Sequence, residues 1–172
     1  VTVIKGITYD YAGATVLITG GTNGIGLACA QEYRDAGAEV IVTGRKSSAK
    51  GYDTDLSKMA YKQLDVADRG ALYTLAGSLK KLDILVNNAF SPGQAARGAI
   101  LEVSEADWDK DFAVLLKALF MGAKYAAPEM QKQGRGSIVN VSSVRGFLAT
   151  PNSTIYDTAK AGVNALTRQL AV

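Results

Sequence analysis

The stretch TGGTNGIG at positions 19–26 decides the fold because of what stands on either side of it. Before it, ATVLIT at positions 14–19 is a short β-branched run that predicts a buried parallel strand. After it, residues 24–36 predict a helix that stops at Gly37. Glycines between a strand and a helix allow a sharp turn, and they let the backbone approach a pyrophosphate at the positive end of the helix. The spacing of Gly20, Gly24 and Gly26 is G-x-x-x-G-x-G; a glycine-rich turn that binds no ligand is the alternative.

Strand-length apolar runs alternate with helix-length amphipathic stretches along the rest of the chain. We predict strands at 39–43, 59–64, 83–86 and 137–141, and helices at 69–79, from about 106 to 133, and from 153 to 172. Ser104 with Asp107 resembles a capping box before the long helix, and Gly134 follows its end. This alternation is typical of an α/β fold with a doubly wound parallel sheet. We expect one domain over residues 1–172, whose first dozen residues carry no clear pattern.

Composition narrows the function classes. A net charge of +3 and scattered basic residues argue against nucleic acid or an anionic membrane as a partner. The longest apolar stretch, 112–127, is short and contains Lys117 and Lys124, so it predicts no membrane span. The single cysteine, Cys29, is expected to be a packing residue; it excludes an internal disulfide and favours a reducing, cytoplasmic setting.

The chain contains no histidine, which removes Ser-His-Asp hydrolysis and every histidine-ligated metal site. We predict no metal. Proton transfer must then use Tyr, Lys, Asp, Glu or Ser. Tyr156 and Lys160 stand at i and i+4 on the last predicted helix, so both side chains share one face.

An ordinary tyrosine phenol titrates near 10, too high for acid–base catalysis at neutral pH, and a neighbouring ammonium favours the phenolate. Ser143 follows the fifth predicted strand, at the edge where ligands of such sheets bind, and its hydroxyl could hold a carbonyl oxygen beside Tyr156. A Tyr–Lys pair at this spacing alone is usually a surface or packing feature. Its position after the glycine turn and Ser143 favours catalysis.

The end of the second predicted strand bears on the choice of cofactor. NAD sites usually place Asp or Glu there for the ribose hydroxyls, whereas a 2′-phosphate is bound by cations. This chain has Thr43-Gly44-Arg45-Lys46, with no carboxylate and with an arginine able to bind a phosphate bidentately. The sequence favours NADP(H) and leaves NAD(H) possible; the alternative is that Arg45 and Lys46 only solvate a loop.

Taken together, these residues resemble the short-chain dehydrogenase/reductase family, in its compact branch. The matching motifs are TGGTNGIG (19–26), LDV (64–66), NNA (87–89), GSIVNVSS (136–143) and YDTAK (156–160), and they extend over about residues 14–172. The resemblance implies a Rossmann-like sheet with strand order 3-2-1-4-5, the family's later strands being absent from this chain. It also implies hydride transfer between a nicotinamide and a secondary alcohol or ketone. A non-catalytic NAD(P)-binding or scaffold protein of the same fold is the alternative.

The resemblance assigns a role to each matching residue. Tyr156 would be the general acid or base, Ser143 would orient the carbonyl or alcohol, and Lys160 would bind the nicotinamide ribose. The cofactor-binding set that it implies is Gly20, Thr22, Asn23, Gly24, Ile25, Gly26, Arg45, Asp65, Val66, Asn87, Ala89, Tyr156 and Lys160.

Three features depart from the family pattern. Phe90 stands where the family's NNAG motif has glycine, and it is either accommodated by an adjusted loop or crowds the adenosine side. Leu115 stands where the family has a catalytic asparagine, and leucine forms no hydrogen bond. The chain also stops in the tyrosine-bearing helix, so we expect it to be part of a longer protein.

The partners expected are a small carbonyl or alcohol substrate and a second copy of the chain. Wide apolar faces on the two long helices predict a homodimer, and burial of those faces against the sheet is the alternative. Phe147, Leu148 and the 90–99 segment point to an apolar substrate.

Overall fold

The computed structural model describes residues 8–90 and 98–172. Its strands form one five-stranded parallel sheet with the order β3-β2-β1-β4-β5. The strands are β1 (Thr15–Thr19), β2 (Glu39–Gly44), β3 (Ala60–Gln63), β4 (Ile84–Asn87) and β5 (Ser137–Asn140). The doubly wound sheet and its strand order, both predicted from the sequence, are confirmed.

The helices alternate with the strands. They are α1 (Gly24–Asp35), α2 (Arg69–Ser78), α3 (Glu105–Phe112), α4 (Ala118–Lys132) and α5 (Thr154–Leu170). The single long helix predicted over about 106–133 is interrupted by a π-helical turn, Ala113–Lys117, between α3 and α4. Two short 3-10 turns, Ala49–Gly51 and Val144–Gly146, were not predicted. No helix within the described ranges is long and apolar enough to cross a membrane.

Side-chain caps begin two of the helices. The Asp68 carboxylate accepts hydrogen bonds from the Gly70 and Ala71 amides at the start of α2. At the start of α3, the Ser104 hydroxyl accepts from the Asp107 amide at 3.1 Å and donates to the Asp107 carboxylate at 2.7 Å. These bonds satisfy amides that have no partner inside the helix. The capping residue predicted at Ser104 is therefore present.

The core lies on both faces of the sheet because β1 is buried along its whole length. Val16 and Ile18 pack on the face that α1 covers, together with the partly buried Cys29. Leu17 points to the other face, which α2 and α4 cover. A third apolar cluster joins the π-helical turn to α5 through Leu115, Ile155 and Ala159. Burial on both faces explains why the strands are continuous apolar runs.

Asp83 anchors the edge of the sheet at which the strands begin. Its carboxylate accepts from the Thr15 amide at 2.9 Å and forms ion pairs with Lys81 and Arg135 at 3.2 and 3.3 Å. Burial alone would raise the pKa of Asp83, but the Thr15 amide and the two cations outweigh it and hold the pKa below its usual value. This carboxylate thus links β1, β4 and the connection into β5 at the edge where the strands begin. The glycine turn that follows β1 lies at the opposite, carboxyl edge of the sheet.

Candidate active site

The glycine turn after β1 crosses the carboxyl edge of the sheet. Gly20 and Gly24 have φ angles of 67° and 52°, in the left-handed region that favours glycine. A Cβ atom on Gly20 would come within 2.8 Å of the Ala89 Cα atom, so this side of the turn is packed. A Cβ atom on Gly24 would meet nothing within 4 Å. Gly24 therefore borders open space at the beginning of α1.

That open space has the features of an anion site. Asn23 precedes α1 in an extended conformation, its side chain forms no capping hydrogen bond, and the first turn of α1 carries no acidic residue. The first helical bond runs from the Leu27 amide to the Asn23 carbonyl, so the amides of residues 24–26 have no partner inside the helix. Amides of this kind, at the positive end of a helix, fit a pyrophosphate. Ile25 is exposed beside them, and Thr22 is buried beneath.

Hydrogen bonds from the end of β4 fix the shape of the turn. The Asn88 and Ala89 amides both donate to the Thr19 hydroxyl oxygen at 3.1 Å. The Asn88 side-chain amide donates to the carbonyls of Thr19 and Gly20, each at 3.1 Å. It also lies so close to Gly26 that any Cβ atom there would collide with it. Asn88 was not among the predicted site residues, although it is the second asparagine of the NNA motif.

Of the predicted cofactor residues near the ends of β3 and β4, one has an exposed side chain and two have buried side chains. Asp65 is exposed at the carboxyl edge, where its carboxylate accepts from the Ala67 amide at 3.0 Å. Val66 is buried in the core. Asn87 is also buried, and its side-chain amide donates to Asn140 at 2.9 Å rather than toward the cleft. Of these three residues, only Asp65 has an exposed side chain, and the side chains of Val66 and Asn87 do not reach the cleft.

At the end of β2, the structure distinguishes the two adjacent cations. The Lys46 ammonium donates to the Gly51 carbonyl and lies 4.8 Å from the Tyr52 ring centroid, so it is already engaged. Arg45 is exposed, and its guanidinium forms no ion pair within the described part of the chain. Arg45 is the residue of the two whose charge is available to a ligand.

Tyr156 and Lys160 lie together on α5. The Lys160 ammonium is 5.7 Å from the Tyr156 ring centroid and donates to the Val141 carbonyl at 2.7 Å. Only 7% of Lys160 is exposed, and this burial lowers the pKa of its ammonium. A cation screened from water is thus held beside a half-buried phenol.

Ser143 follows β5 and begins the 3-10 turn. Its hydroxyl oxygen accepts from the Arg145 amide at 3.2 Å, which leaves the hydroxyl proton available to donate. The neighbouring Ser142 hydroxyl donates to the Lys160 carbonyl at 3.2 Å. Ser142 and the Val141 carbonyl therefore tie the end of β5 to α5, on the side of the helix that carries Lys160.

Sequence reasoning missed the ion pair that holds the loop after Ser143. Arg145 pairs with Asp157 at 3.3 Å, and the Asp157 carboxylate also accepts from Ser153 and from the Thr150 amide, each at 2.8 Å. These contacts fasten residues 145–150 to the beginning of α5. Asp157 lies inside the YDTAK motif, but no spacing rule in the sequence pairs it with Arg145.

The two substitutions noted against the family pattern both lie beside Tyr156. Half of Phe90 is exposed, and its ring centroid is 5.9 Å from that of Tyr156 at an interplanar angle of 84°. Phe90 thus packs on the tyrosine, a contact that neither sequence-based alternative included. Leu115 is 1% exposed and packs against Ile155 and Ala159, in the apolar cluster that Tyr156 borders.

The remaining apolar residues predicted to meet the substrate are exposed near Ser143. Phe147 and Leu148 follow the 3-10 turn with 77% and 64% of their surface exposed. Of the 90–99 segment, residues 91–97 lie outside the described residues.

Fold and site together define a Rossmann-like α/β domain with a glycine-rich turn before α1 and with Ser, Tyr and Lys at the carboxyl edge of its sheet. The family model described as "short chain dehydrogenase" matches residues 14–172. The chain belongs to the short-chain dehydrogenase/reductase family, which confirms the resemblance seen in the sequence.

Individual relatives agree with this assignment. An uncharacterized oxidoreductase of Thermotoga maritima is 40% identical, over 95% of this chain and 66% of its own length. A gluconate 5-dehydrogenase of Gluconobacter oxydans is 33% identical with the same coverage. The crystal structure of a putative gluconate dehydrogenase from Agrobacterium tumefaciens is 30% identical with a TM-score of 0.84, over 96% of this chain and 68% of that one. The chain thus spans about two thirds of the length of these relatives.

Proposed function

We propose that residues 1–172 form one NAD(P)-binding domain that carries the catalytic residues of an oxidoreductase, which moves a hydride between a nicotinamide and a secondary alcohol or ketone. Tyr156 moves the proton on the substrate oxygen. The observation that carries the proposal is the buried Lys160 ammonium beside the Tyr156 ring, at the same sheet edge as the glycine turn.

Each polar group has a task in that reaction. Lys160 places a positive charge beside the phenol as its proton moves, and burial limits the screening of that charge by water. Since the Val141 carbonyl takes one donor of the ammonium, two more donors remain for a ribose hydroxyl and the phenol oxygen. The Ser143 hydroxyl donates to the substrate oxygen and holds it beside the tyrosine. When bound, the nicotinamide supplies or accepts the hydride.

The proton follows the direction of the reaction. In ketone reduction, Tyr156 donates its phenolic proton to the oxygen of the carbonyl whose carbon receives the hydride. In alcohol oxidation, the phenolate takes the hydroxyl proton as the hydride leaves the adjacent carbon.

The cofactor would lie with its pyrophosphate at the amides that begin α1, where Gly24 leaves room. Arg45 supports NADP(H) over NAD(H), because its guanidinium stands unpaired at the end of β2 within the described part of the chain, whereas Lys46 is engaged locally. NAD(H) remains the second cofactor to be measured.

We also propose a small carbonyl or alcohol substrate, a homodimer and, from the single cysteine, a reducing cytoplasmic setting. The dimer would use the outer faces of α4 and α5, since Phe120 on α4 is 45% exposed. The exposed Phe147 and Leu148 favour a substrate with apolar substituents.

The second candidate is a binding module that holds NAD(P) without turnover. It is favoured by Leu115, which replaces the family's asparagine with a side chain that forms no hydrogen bond. Against it stands the joint presence of Ser143, Tyr156 and Lys160, because a site that only binds needs no tyrosine for acid–base catalysis.

A ketone panel with NADPH, followed by loss of the reduced cofactor, separates the two candidates. The oxidoreductase predicts turnover that Ser143→Ala lowers by about 10-fold to 100-fold, with NADPH affinity unchanged within about threefold. Tight cofactor binding with no turnover of any ketone or alcohol would instead establish the binding module.

A further inference from the structure

Phe90 connects the glycine turn to the catalytic helix. The residue before it, Ala89, is fixed to the Thr19 hydroxyl by a 3.1 Å hydrogen bond and packs against Gly20. The Phe90 backbone therefore starts beside the proposed cofactor turn, while its ring reaches Tyr156 on α5. Half of its surface remains exposed.

The surroundings of Tyr156 show what the ring of Phe90 adds. Tyr156 has the Lys160 ammonium 5.7 Å from its ring centroid and borders the apolar cluster of Leu115, Ile155 and Ala159. The Phe90 ring meets it in the edge-to-face arrangement that aromatic pairs prefer. A group attached to the carbon whose oxygen Tyr156 holds must lie within a few ångströms of the phenol, and the half-exposed Phe90 ring stands 5.9 Å from the ring of that tyrosine.

We propose that Phe90 is a specificity-determining residue that selects substrates with a flat ring on the reacting carbon, namely aryl ketones and the corresponding secondary alcohols. This inference rests on the proposed function and specifies its substrate class. An aromatic ring gains a stacked or edge-to-face contact with Phe90, with centroids about 4.5–7 Å apart. A flexible alkyl chain of the same carbon number forms no such contact and loses more rotational freedom when it binds.

The kinetic test compares acetophenone with octan-2-one, two ketones with eight carbons each, as substrates with NADPH. The wild-type protein should prefer acetophenone in kcat/KM, and Phe90→Leu should lower that preference by about twofold to tenfold. Tyr73→Leu is the matched control because Tyr73, exposed on α2, also forms an edge-to-face pair, with the Tyr125 ring centroid at 5.3 Å. It should leave the preference unchanged. Phe90→Met serves as the second variant if Phe90→Leu unfolds.

A binding test needs no turnover. Calorimetric titration of the NADP⁺-loaded protein with acetophenone and with octan-2-one, which an oxidised cofactor cannot reduce, gives the same preference as a ratio of Kd values, and Phe90→Leu should reduce it by the same factor. Ring-current shifts of the Tyr156 resonances, assigned with Tyr156→Phe, report the aromatic contact directly. These shifts should collapse in Phe90→Leu and persist in Tyr73→Leu.

The outcomes separate this inference from the proposed function. Loss of ring preference in binding, in a protein that turns over neither ketone, would support the selectivity of Phe90 and refute the oxidoreductase. Turnover with an aryl preference that both Phe90→Leu and Phe90→Met leave intact would support the oxidoreductase and refute the selectivity of Phe90. A wild-type protein without any aryl preference would overturn the inference. A gain of more than about tenfold in NADPH affinity in Phe90→Gly would also overturn it, because the Phe90 ring would then occupy space that belongs to the cofactor.

Discussion

Neutralising the buried carboxylate of Asp111 should make the protein more stable. Asp111 lies on α3, one helical turn before Leu115, and is only 4% exposed. Its Oδ2 atom has no hydrogen-bond partner among the described residues. Burial raises the pKa of this carboxyl, Lys110 opposes the shift, and Asp107 adds to it. The ionised form of Asp111 is therefore less favourable in the folded protein than in the unfolded chain.

The magnitude follows from the cost of an unpartnered buried group. We expect Asp111→Asn to raise the free energy of unfolding at neutral pH by about 1–3 kcal/mol, since it removes the charge and keeps the shape. The folded pKa lies above the unfolded value of 3.8, so the folded state binds more protons between those two values. The stability of the wild type then falls as the pH rises from the unfolded pKa to the folded pKa of Asp111. Below the unfolded pKa, Asp111→Asn should no longer be more stable than the wild type.

Urea unfolding followed by circular dichroism, at about pH 7 and about pH 4, measures both effects. Asp109→Asn is the control because Asp109 is exposed on the same helix, and it should change stability by less than about 0.5 kcal/mol. A destabilised Asp111→Asn protein at neutral pH, or a difference that stays the same at both pH values, would refute the account of this carboxylate.

Three further substitutions test other parts of the account. Arg45→Glu should weaken NADPH binding by at least about tenfold relative to NADH in a fluorescence titration, because it replaces the phosphate-binding cation with an anion; an unchanged ratio would contradict the assignment. Asp83→Asn should lower the free energy of unfolding by about 1–3 kcal/mol at neutral pH. Since the pKa of Asp83 in the folded protein is held below its usual value, the loss of stability should shrink as the pH falls through that folded pKa. A loss of stability that does not depend on pH would contradict the role given to the Asp83 carboxylate. Leu115→Asn should cost about 2–4 kcal/mol of stability, because it buries an amide among Ile155 and Ala159, and should raise the turnover rate. A rate that falls or does not change would show that the family's asparagine has no counterpart role here.

The sequence predicts the sheet well because its determinants are local. Burial on both faces makes β1 a continuous apolar run, and the glycines after it mark the turn into α1. The π-helical turn 113–117 was not predicted, since its sequence AVLLK contains neither glycine nor proline and favours an ordinary helix. The structure shows Leu115 of this turn packed against α5, a contact that local sequence does not encode.

In the candidate site too, the local features could be predicted from the sequence and the long-range contacts could not. Helical spacing predicts that Tyr156 and Lys160 share a face, because one turn separates them. The contact of Phe90 with Tyr156 depends on how two distant segments close, and no periodicity reports it. Asn87, which ends β4, and Asn88, which follows it, show a second limit of prediction from sequence. Neighbouring residues at a strand end point in opposite directions, and only the structure shows that Asn87 turns into the core while Asn88 holds the turn.

The most direct test of the central claim is the turnover rate of Tyr156→Phe with NADPH and a ketone that the wild type reduces. The account predicts a loss of at least about 100-fold in kcat, with NADPH affinity within about threefold of the wild type, because only the proton-donating hydroxyl is removed. Tyr73→Phe, at an exposed position on α2, should match the wild type in both measurements. A Tyr156→Phe protein that keeps its rate would show that this hydroxyl does not move the proton.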